Sequence, residues 1–172
     1  MTNSPTLYMG IDLAQRYSGF AILNDEASLE WYSTFDAGPE SDGFRNNVTK
    51  LCDFIESTIS EQGLNLAPVV VYIEDCPHML VKPALVLRLQ GALRQRIYTL
   101  MPESEVHMMM PSTWQRHYGW AKTPGTTSKG FSTFACKALG YEFDKSVKGK
   151  QATDLHDAVL IARYGYEKAN SR

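Results

Sequence analysis

The sequence predicts an α/β fold with a mixed five-stranded sheet, and three observations lead to this prediction. Short alternating apolar runs occupy the first 35 positions, as expected for half-buried strands. A continuous run of mostly β-branched residues, VVVYIE, follows near position 70 and is typical of a strand covered on both faces. Elsewhere, apolar residues recur at the spacing of helices. The predicted order is three strands, a helix, a strand, a helix, a strand and two helices.

The first three strands are predicted over residues 6–14, 17–24 and 29–35. The connections between them are short, and the third strand carries aromatic residues at every second position. We therefore expect these strands to form an antiparallel meander.

A helix is predicted over residues 44–60, followed by the β-branched strand over 67–75. A strand, a helix and a second strand in this order form a right-handed crossover that places the two strands parallel. We expect the fourth strand to lie beside the first strand and parallel to it.

The second half of the chain begins with a long predicted helix over residues 81–101 and a short strand over 105–111. A helix over 127–140 ends at Gly140, and a final helix includes residues 153–165. The length of 172 residues suits one domain, so residues 1–172 are predicted to form a single unit.

Composition argues against several classes of protein. No apolar stretch approaches the roughly 18 residues that a membrane helix needs, and the N-terminal residues lack the pattern of a signal peptide. The three cysteines have no C-x-x-C spacing, which argues against a disulfide framework or a zinc site. We expect a protein that is cytoplasmic, in a bacterium or phage-infected host, or associated with the nucleoid, and that is not secreted.

Charge is distributed unevenly along the chain, although the net charge is only −2. Residues 1–80 contain 3 Lys and Arg against 12 Asp and Glu, whereas residues 81–150 contain 11 against 4. A basic section of this kind can bind a polyanion such as DNA. The candidate phosphate contacts are Arg94, Arg96, Arg116, Lys122, Lys129, Lys148 and Lys150.

Four acidic residues occupy positions that the predicted topology brings together. Asp12 is the only charged residue of the first strand, and Glu74 ends the strand predicted to lie beside it. Asp154 and Asp157 are three residues apart, so they project from the same face of the final helix. We expect the four carboxylates to converge near one end of the sheet.

Each acid also has an ordinary structural interpretation. Asp154 suits the positive N-terminal end of a helix, and Asp12 or Glu74 alone could simply end a strand. Together they are costly, since two charges ~4 Å apart repel by ~4 kcal/mol even at an effective dielectric constant of ~20. Two Mg²⁺ ions, for which Mn²⁺ could substitute, would remove this repulsion and could clamp a phosphodiester undergoing hydrolysis.

Several segments resemble the RuvC-type Holliday junction resolvases. They are the opening MGIDLAQRYSGFAIL, the strand VVVYIE, the segment TTSKGFSTFACKALG and above all the closing QATDLHDAVLIA. The resemblance implies a ribonuclease H-like fold, a homodimer and magnesium-dependent nicking of four-way DNA junctions. It also implies that Asp12, Glu74, Asp154 and Asp157 bind two metal ions and that Lys129 lies near the scissile phosphate.

The sequence departs from the family pattern after Glu74. The family often has an aromatic residue three positions later that opens the junction, and this chain has Pro77 there. His78 or Met79 could take over that role. For the homodimer, we expect the contact to involve the helix over 81–101, through Leu85, Leu87, Leu93 and Ile97.

Other functions remain open at this stage. Ribonuclease H-like folds also act on other branched DNA and on RNA:DNA hybrids, so the fold alone does not define the substrate. An actin-like ATPase has a similar first strand but needs further glycine-rich phosphate loops and a longer chain. A non-catalytic junction-binding module would not need four intact acids.

Overall fold

A computed structural model describes residues 5–39, 42–76, 83–119, 128–144 and 149–171. Its five strands form one sheet in the order β3-β2-β1-β4-β5. The first three strands pair antiparallel, whereas β4 pairs parallel to β1 and β5 pairs parallel to β4. This confirms the predicted α/β fold class with a mixed five-stranded sheet. The strands are β1 (Leu7–Asp12), β2 (Tyr17–Leu23), β3 (Leu29–Asp36), β4 (Val69–Glu74) and β5 (Glu105–Met109).

Helices cover both faces of this sheet. The first face packs on α1 and α2, and the opposite face packs on the remaining three helices. Among the described helices, none has the length and apolar character needed to cross a membrane. The helices are α1 (Phe44–Glu61), α2 (Pro83–Leu100), α3 (Pro111–His117), α4 (Ser128–Ala138) and α5 (Gly149–Asn170), with a short 3-10 helix at Leu64–Leu66.

Two helical features differ from the sequence prediction. The short helix α3 was not predicted, because seven residues with a single buried side chain, Trp114, give no apolar periodicity. Pro111 begins this helix, and its fixed φ suits a first helical position. Helix α5 begins at Gly149 and so includes a polar first turn that precedes the apolar pattern.

Helix α2 shows which side chains a second copy of the chain could reach. Leu93 and Ile97 are fully buried in the chain's own core, so the prediction that they contact a partner is wrong. Leu85 is half-buried, whereas Leu87 and Tyr98 are 51% and 39% exposed. These last two are the large hydrophobic side chains that α2 leaves exposed among its described residues.

The closest approach between layers is that of α5 to β1 and β2. A Cβ atom added to Gly10 of β1 would collide with the Ala158 carbonyl oxygen, and one added to Gly19 of β2 would collide with that of Asp154. Only glycine allows a helix backbone to lie this near the sheet. The two glycines therefore determine where along the sheet α5 rests.

Candidate metal centre

The ends of β1 and β4 place two acidic residues at one edge of the sheet. Ile11 pairs with Ile73 in the parallel register, and both strands end one residue later, at Asp12 and Glu74. Side chains alternate along a strand, so Asp12 lies on the same face as Gly10, which is the face covered by α5. Asp12 and Glu74 therefore lie at the ends of adjacent strands, as predicted.

Helix α5 brings the other two predicted acids to the same place. The Asp154 main chain lies against Gly19, which pairs with Asp12 across the antiparallel strands. Asp154 is 7% exposed, and Asp157 follows it on the same helix face. The electrostatic influence of Glu74, Asp157 and Asp154 on Asp12 shows that the four carboxylates share one region.

The environment of these acids opposes their ionisation. Burial, followed by the charges of Glu74, Asp157 and Asp154, raises the pKa of Asp12 well above its usual range, and the Lys150 ammonium acts in the opposite direction. Both burial and like charge disfavour the carboxylate form. Without a cation, the group holds protons that exposed acids would have lost.

Glu74 is held by donors from two helices. The Trp114 indole Nε1 donates a hydrogen bond to Glu74 Oε2 at 2.9 Å, and the Gln90 side-chain amide donates to the Glu74 carbonyl oxygen at 2.8 Å. Burial and the Asp157 charge raise the pKa of Glu74 to about 8, despite the opposing effect of the Trp114 bond. The side chain is therefore fixed in position but poorly compensated in charge.

Asp157 has a similar arrangement on the opposite side of the group. The Ser132 hydroxyl of α4 donates a hydrogen bond to Asp157 Oδ1. Burial raises the pKa of Asp157 to about 7, the Ser132 bond opposes this, and the Asp154 charge adds to it. Both acids thus bond to neutral donors.

Across the described ranges of the chain, no three His, Cys, Asp or Glu side chains lie close enough to form a ready-made metal site. The four side chains would have to move closer together to share ions.

A cationic and aromatic group borders the acids. Lys150, in the first turn of α5, places its Nζ 5.6 Å from the centre of the Tyr17 ring, and the Arg16 guanidinium carbon lies 4.7 Å from that centre. Arg16 also pairs with Asp36 at 3.3 Å. Lys150 is exposed and lies one helical turn before Asp154, so it stands at the solvent side of the acidic group.

The other predicted basic residues are more dispersed. Arg96 pairs with Glu56 of α1, Arg94 lines a cavity of about 300 Å³ beside β5, and Arg116 is exposed at the end of α3. The backbone of Lys129 lies in the first turn of α4, and its side chain is outside the described part of the structure. Five further predicted positions also lie outside the described residues: Lys122, Lys148, Pro77, His78 and Met79.

Sequence reasoning missed three residues that contact the acids, namely Gln90, Trp114 and Ser132. Gln90 and Ser132 are polar residues in otherwise apolar helix faces, and both are buried at 4% and 1% exposure. A polar residue at a core position of a helical pattern was the available signal. Trp114, 1% exposed, gave only the weaker signal of a large aromatic residue among polar neighbours.

The fold is similar to that of solved RuvC structures. No family model matches the sequence, and no curated protein matches it. Among solved structures, Thermus thermophilus RuvC in complex with a Holliday junction substrate matches with a TM-score of 0.68 at 12% identity, over 96% of both chains. A second Thermus thermophilus RuvC structure matches with a TM-score of 0.67 at 14% identity, again over 96% of both chains. The chain therefore has the fold of RuvC, the ribonuclease H-like fold that the family resemblance implied.

Proposed function

We propose that this chain is a structure-specific DNA endonuclease that nicks four-way junctions by hydrolysis dependent on a divalent metal. The observation that carries the proposal is the convergence of Asp12, Glu74, Asp154 and Asp157 at one edge of a RuvC-like sheet. The structural match to a RuvC bound to a Holliday junction supports the choice of substrate.

The residues present fit divalent cations by their chemistry. All four donors are carboxylates, which Mg²⁺ and Mn²⁺ prefer. Burial first, and then neighbouring negative charge that cations would offset, raise the pKa values of Asp12, Glu74 and Asp157. Asp12 with Asp154 or Asp157 would hold one ion, and Asp12 with Glu74 would hold the second. When bound, such ions supply an activated water and stabilise the leaving 3′-oxygen.

The chain's own cations would position the DNA strand. Lys150 lies beside the acids and is exposed, so it can bind a phosphate next to the scissile one. Lys129, at the start of α4, is proposed to neutralise charge on the reacting phosphate. The products would be a 5′-phosphate and a 3′-hydroxyl, which ligase can join again.

A homodimer is part of this proposal. A four-way junction has near two-fold symmetry, and a two-fold dimer would place one active site at each of two equivalent strands. Leu87 and Tyr98 of α2 are exposed and available for such a contact.

Substrate choice is the direct test of the proposed function. We expect paired symmetrical nicks in labelled four-way junctions in Mg²⁺ or Mn²⁺, with little cleavage of three-way, flap, linear duplex or RNA:DNA substrates. Denaturing gels of the cleaved strands measure this. Preferential cleavage of RNA:DNA hybrids would assign the chain to another ribonuclease H-like activity.

Replacing Asp157 by Asn tests the acidic group, because the change removes charge and nearly preserves shape. We expect Asp157→Asn to fold and bind junctions but to cleave them orders of magnitude more slowly, with Asp12→Asn and Glu74→Gln behaving alike. Double variants should add little, since the acids act as a unit. The control is Asp75→Asn, which should cleave as the wild type does. In the wild type, the Asp75 carboxylate accepts a hydrogen bond from the adjacent Cys76 amide. Normal cleavage by Asp157→Asn would contradict the proposed site.

Replacing Lys150 by Ala tests the phosphate contact. We expect weaker junction binding. The slope of the logarithm of the binding constant against the logarithm of the salt concentration should decrease in magnitude by about one, since each phosphate contact releases about one counterion. Fluorescence anisotropy across a salt series measures both effects. The matched control, Lys168→Ala, removes the same charge from the last turn of α5, roughly 27 Å away at 1.5 Å per residue. Equal effects of the two variants would place the phosphate contact elsewhere.

The raised pKa values predict how stability depends on pH in metal-free buffer. The folded protein holds protons on Glu74 and Asp157 up to about pH 8 and 7, whereas the unfolded chain loses them near pH 4 to 4.5. The contribution of these two groups to the free energy of unfolding is therefore fully present below pH 4 and is lost as pH rises through 7 to 8. We expect Mg²⁺ to raise the melting temperature more at pH 8 than at pH 5.5.

Asp157→Asn provides the comparison for this pH effect. It should melt at a higher temperature than the wild type at pH 8 without metal, and Mg²⁺ should stabilise it less. His156, whose pKa is lowered by burial, contributes in the opposite direction near pH 6, but it is present in both proteins. Asp53→Asn, a change on the exposed face of α1, should behave as the wild type. Identical Mg²⁺ effects in all three proteins would show that Asp157 does not bind the ion.

A further inference from the structure

Two neutral side chains reach the acidic group from separate helices. Trp114 of α3 donates to Glu74 Oε2 at 2.9 Å, and Ser132 of α4 donates to Asp157 Oδ1. Both donors are 1% exposed, so neither bond competes directly with bulk water. Each bond involves one oxygen of a carboxylate that has two.

The chemistry of Trp114 limits what its bond can do. An indole N–H only donates, carries no charge and does not titrate. Trp114 is buried in the same core cluster as Tyr72, Met109 and Phe131, on the α5 side of the sheet. Such a donor can orient Glu74 but cannot neutralise it. The Gln90 amide holds the Glu74 carbonyl oxygen at 2.8 Å, which fixes the main chain at the same residue.

Ser132 has the corresponding position at Asp157. Its hydroxyl lies between α4 and α5, where the adjacent side chains Phe131, Ala135 and Cys136 are apolar and buried. The next residue, Thr133, is exposed, and its hydroxyl contacts His156 Nδ1 at 3.1 Å. One of two consecutive hydroxyls is thus directed at the acidic group.

We propose that Trp114 and Ser132 are positioning residues of the metal centre, each binding one oxygen of Glu74 or Asp157 so that the other oxygen is presented to a divalent cation. This inference rests on the proposed function. Hydrogen bonds to metal-ligating groups commonly set ligand orientation, and their loss lowers metal affinity. Trp114 and Ser132 act through the acids and do not touch the substrate.

Binding of Mn²⁺ alone, followed by the electron paramagnetic resonance signal of the free ion, tests this proposal without any DNA. Trp114→Phe keeps an aromatic ring and loses the N–H, and Ser132→Ala loses only the hydroxyl. We expect each change to raise the dissociation constant for Mn²⁺ roughly 10-fold or more. The matched controls are Trp31→Phe on β3 and Thr133→Ala, which should bind Mn²⁺ as the wild type does.

The outcomes separate the two proposals. Unchanged Mn²⁺ binding by folded Trp114→Phe and Ser132→Ala would overturn the positioning role, and the proposed function would stand if Asp157→Asn still lost the ion. Absence of Mn²⁺ binding by the wild type would overturn both. A purely structural role would lower the melting temperature in metal-free buffer without changing the dissociation constant.

A spectroscopic measurement keeps the test valid if Trp114→Phe fails to fold. In a Trp31→Phe, Trp120→Phe variant, Trp114 is the single remaining tryptophan. Its fluorescence should change on Mn²⁺ addition, with a midpoint that matches the resonance measurement, because its N–H bonds a carboxylate that takes part in binding. Constant emission through saturation would overturn the role of Trp114.

Discussion

The close packing of α5 on β1 and β2 is the constraint on which the acidic site depends. Gly10 and Gly19 leave no side chain between the sheet and the helix, so the helix backbone lies against the strands at Ala158 and Asp154. Since Gly19 pairs with Asp12, this packing places an acid of the helix beside an acid of the sheet. Any side chain larger than glycine would push the helix away and separate them. The acids thus lie close together because of contacts between backbones, and not because of interactions between their side chains.

The free energies involved distinguish the role of the neutral hydrogen-bond donors from that of the proposed cations. A pKa near 8 for Glu74, against its ordinary value of 4.5, corresponds to a cost of ionisation on the order of 5 kcal/mol. That cost remains even with the Trp114 bond in place, and a hydrogen bond to a charged group contributes only about 1.5–3 kcal/mol. The donors are therefore too weak to stabilise the ionised group. They can fix its direction, whereas the proposed divalent cations would compensate its charge.

Much of the fold followed from local patterns in the sequence. Apolar alternation defined the meander, the β-branched run defined β4, and the strand–helix–strand crossover placed Asp12 beside Glu74, as the parallel register confirms. The residues that hold the acids were not predicted. Trp114 lies in a helix too short to show periodicity, and the contact of Ser132 with Asp157 depends on the packing of α4 on α5.

The surface of α2 was also beyond sequence reasoning. Its apolar residues occur on several sides, and only the tertiary structure shows that Leu93 and Ile97 are in the core whereas Leu87 is exposed.

Helix α5 carries a cation, an acid and a packing contact on successive turns. Its first turn carries Lys150 at the solvent side, its second turn carries Asp154, and the following turns provide Ala158, which rests against Gly10 of the sheet. Because successive turns lie about 5.4 Å apart, the helix itself sets the spacing of Lys150 and Asp154 along its axis, and the packing contact sets the depth of the helix acids at the sheet. The helix cannot be displaced along its axis without moving Lys150 and the carboxylates Asp154 and Asp157 together. The two buried contacts between glycine and helix backbone therefore set the geometry in which a DNA strand would meet the proposed metal centre.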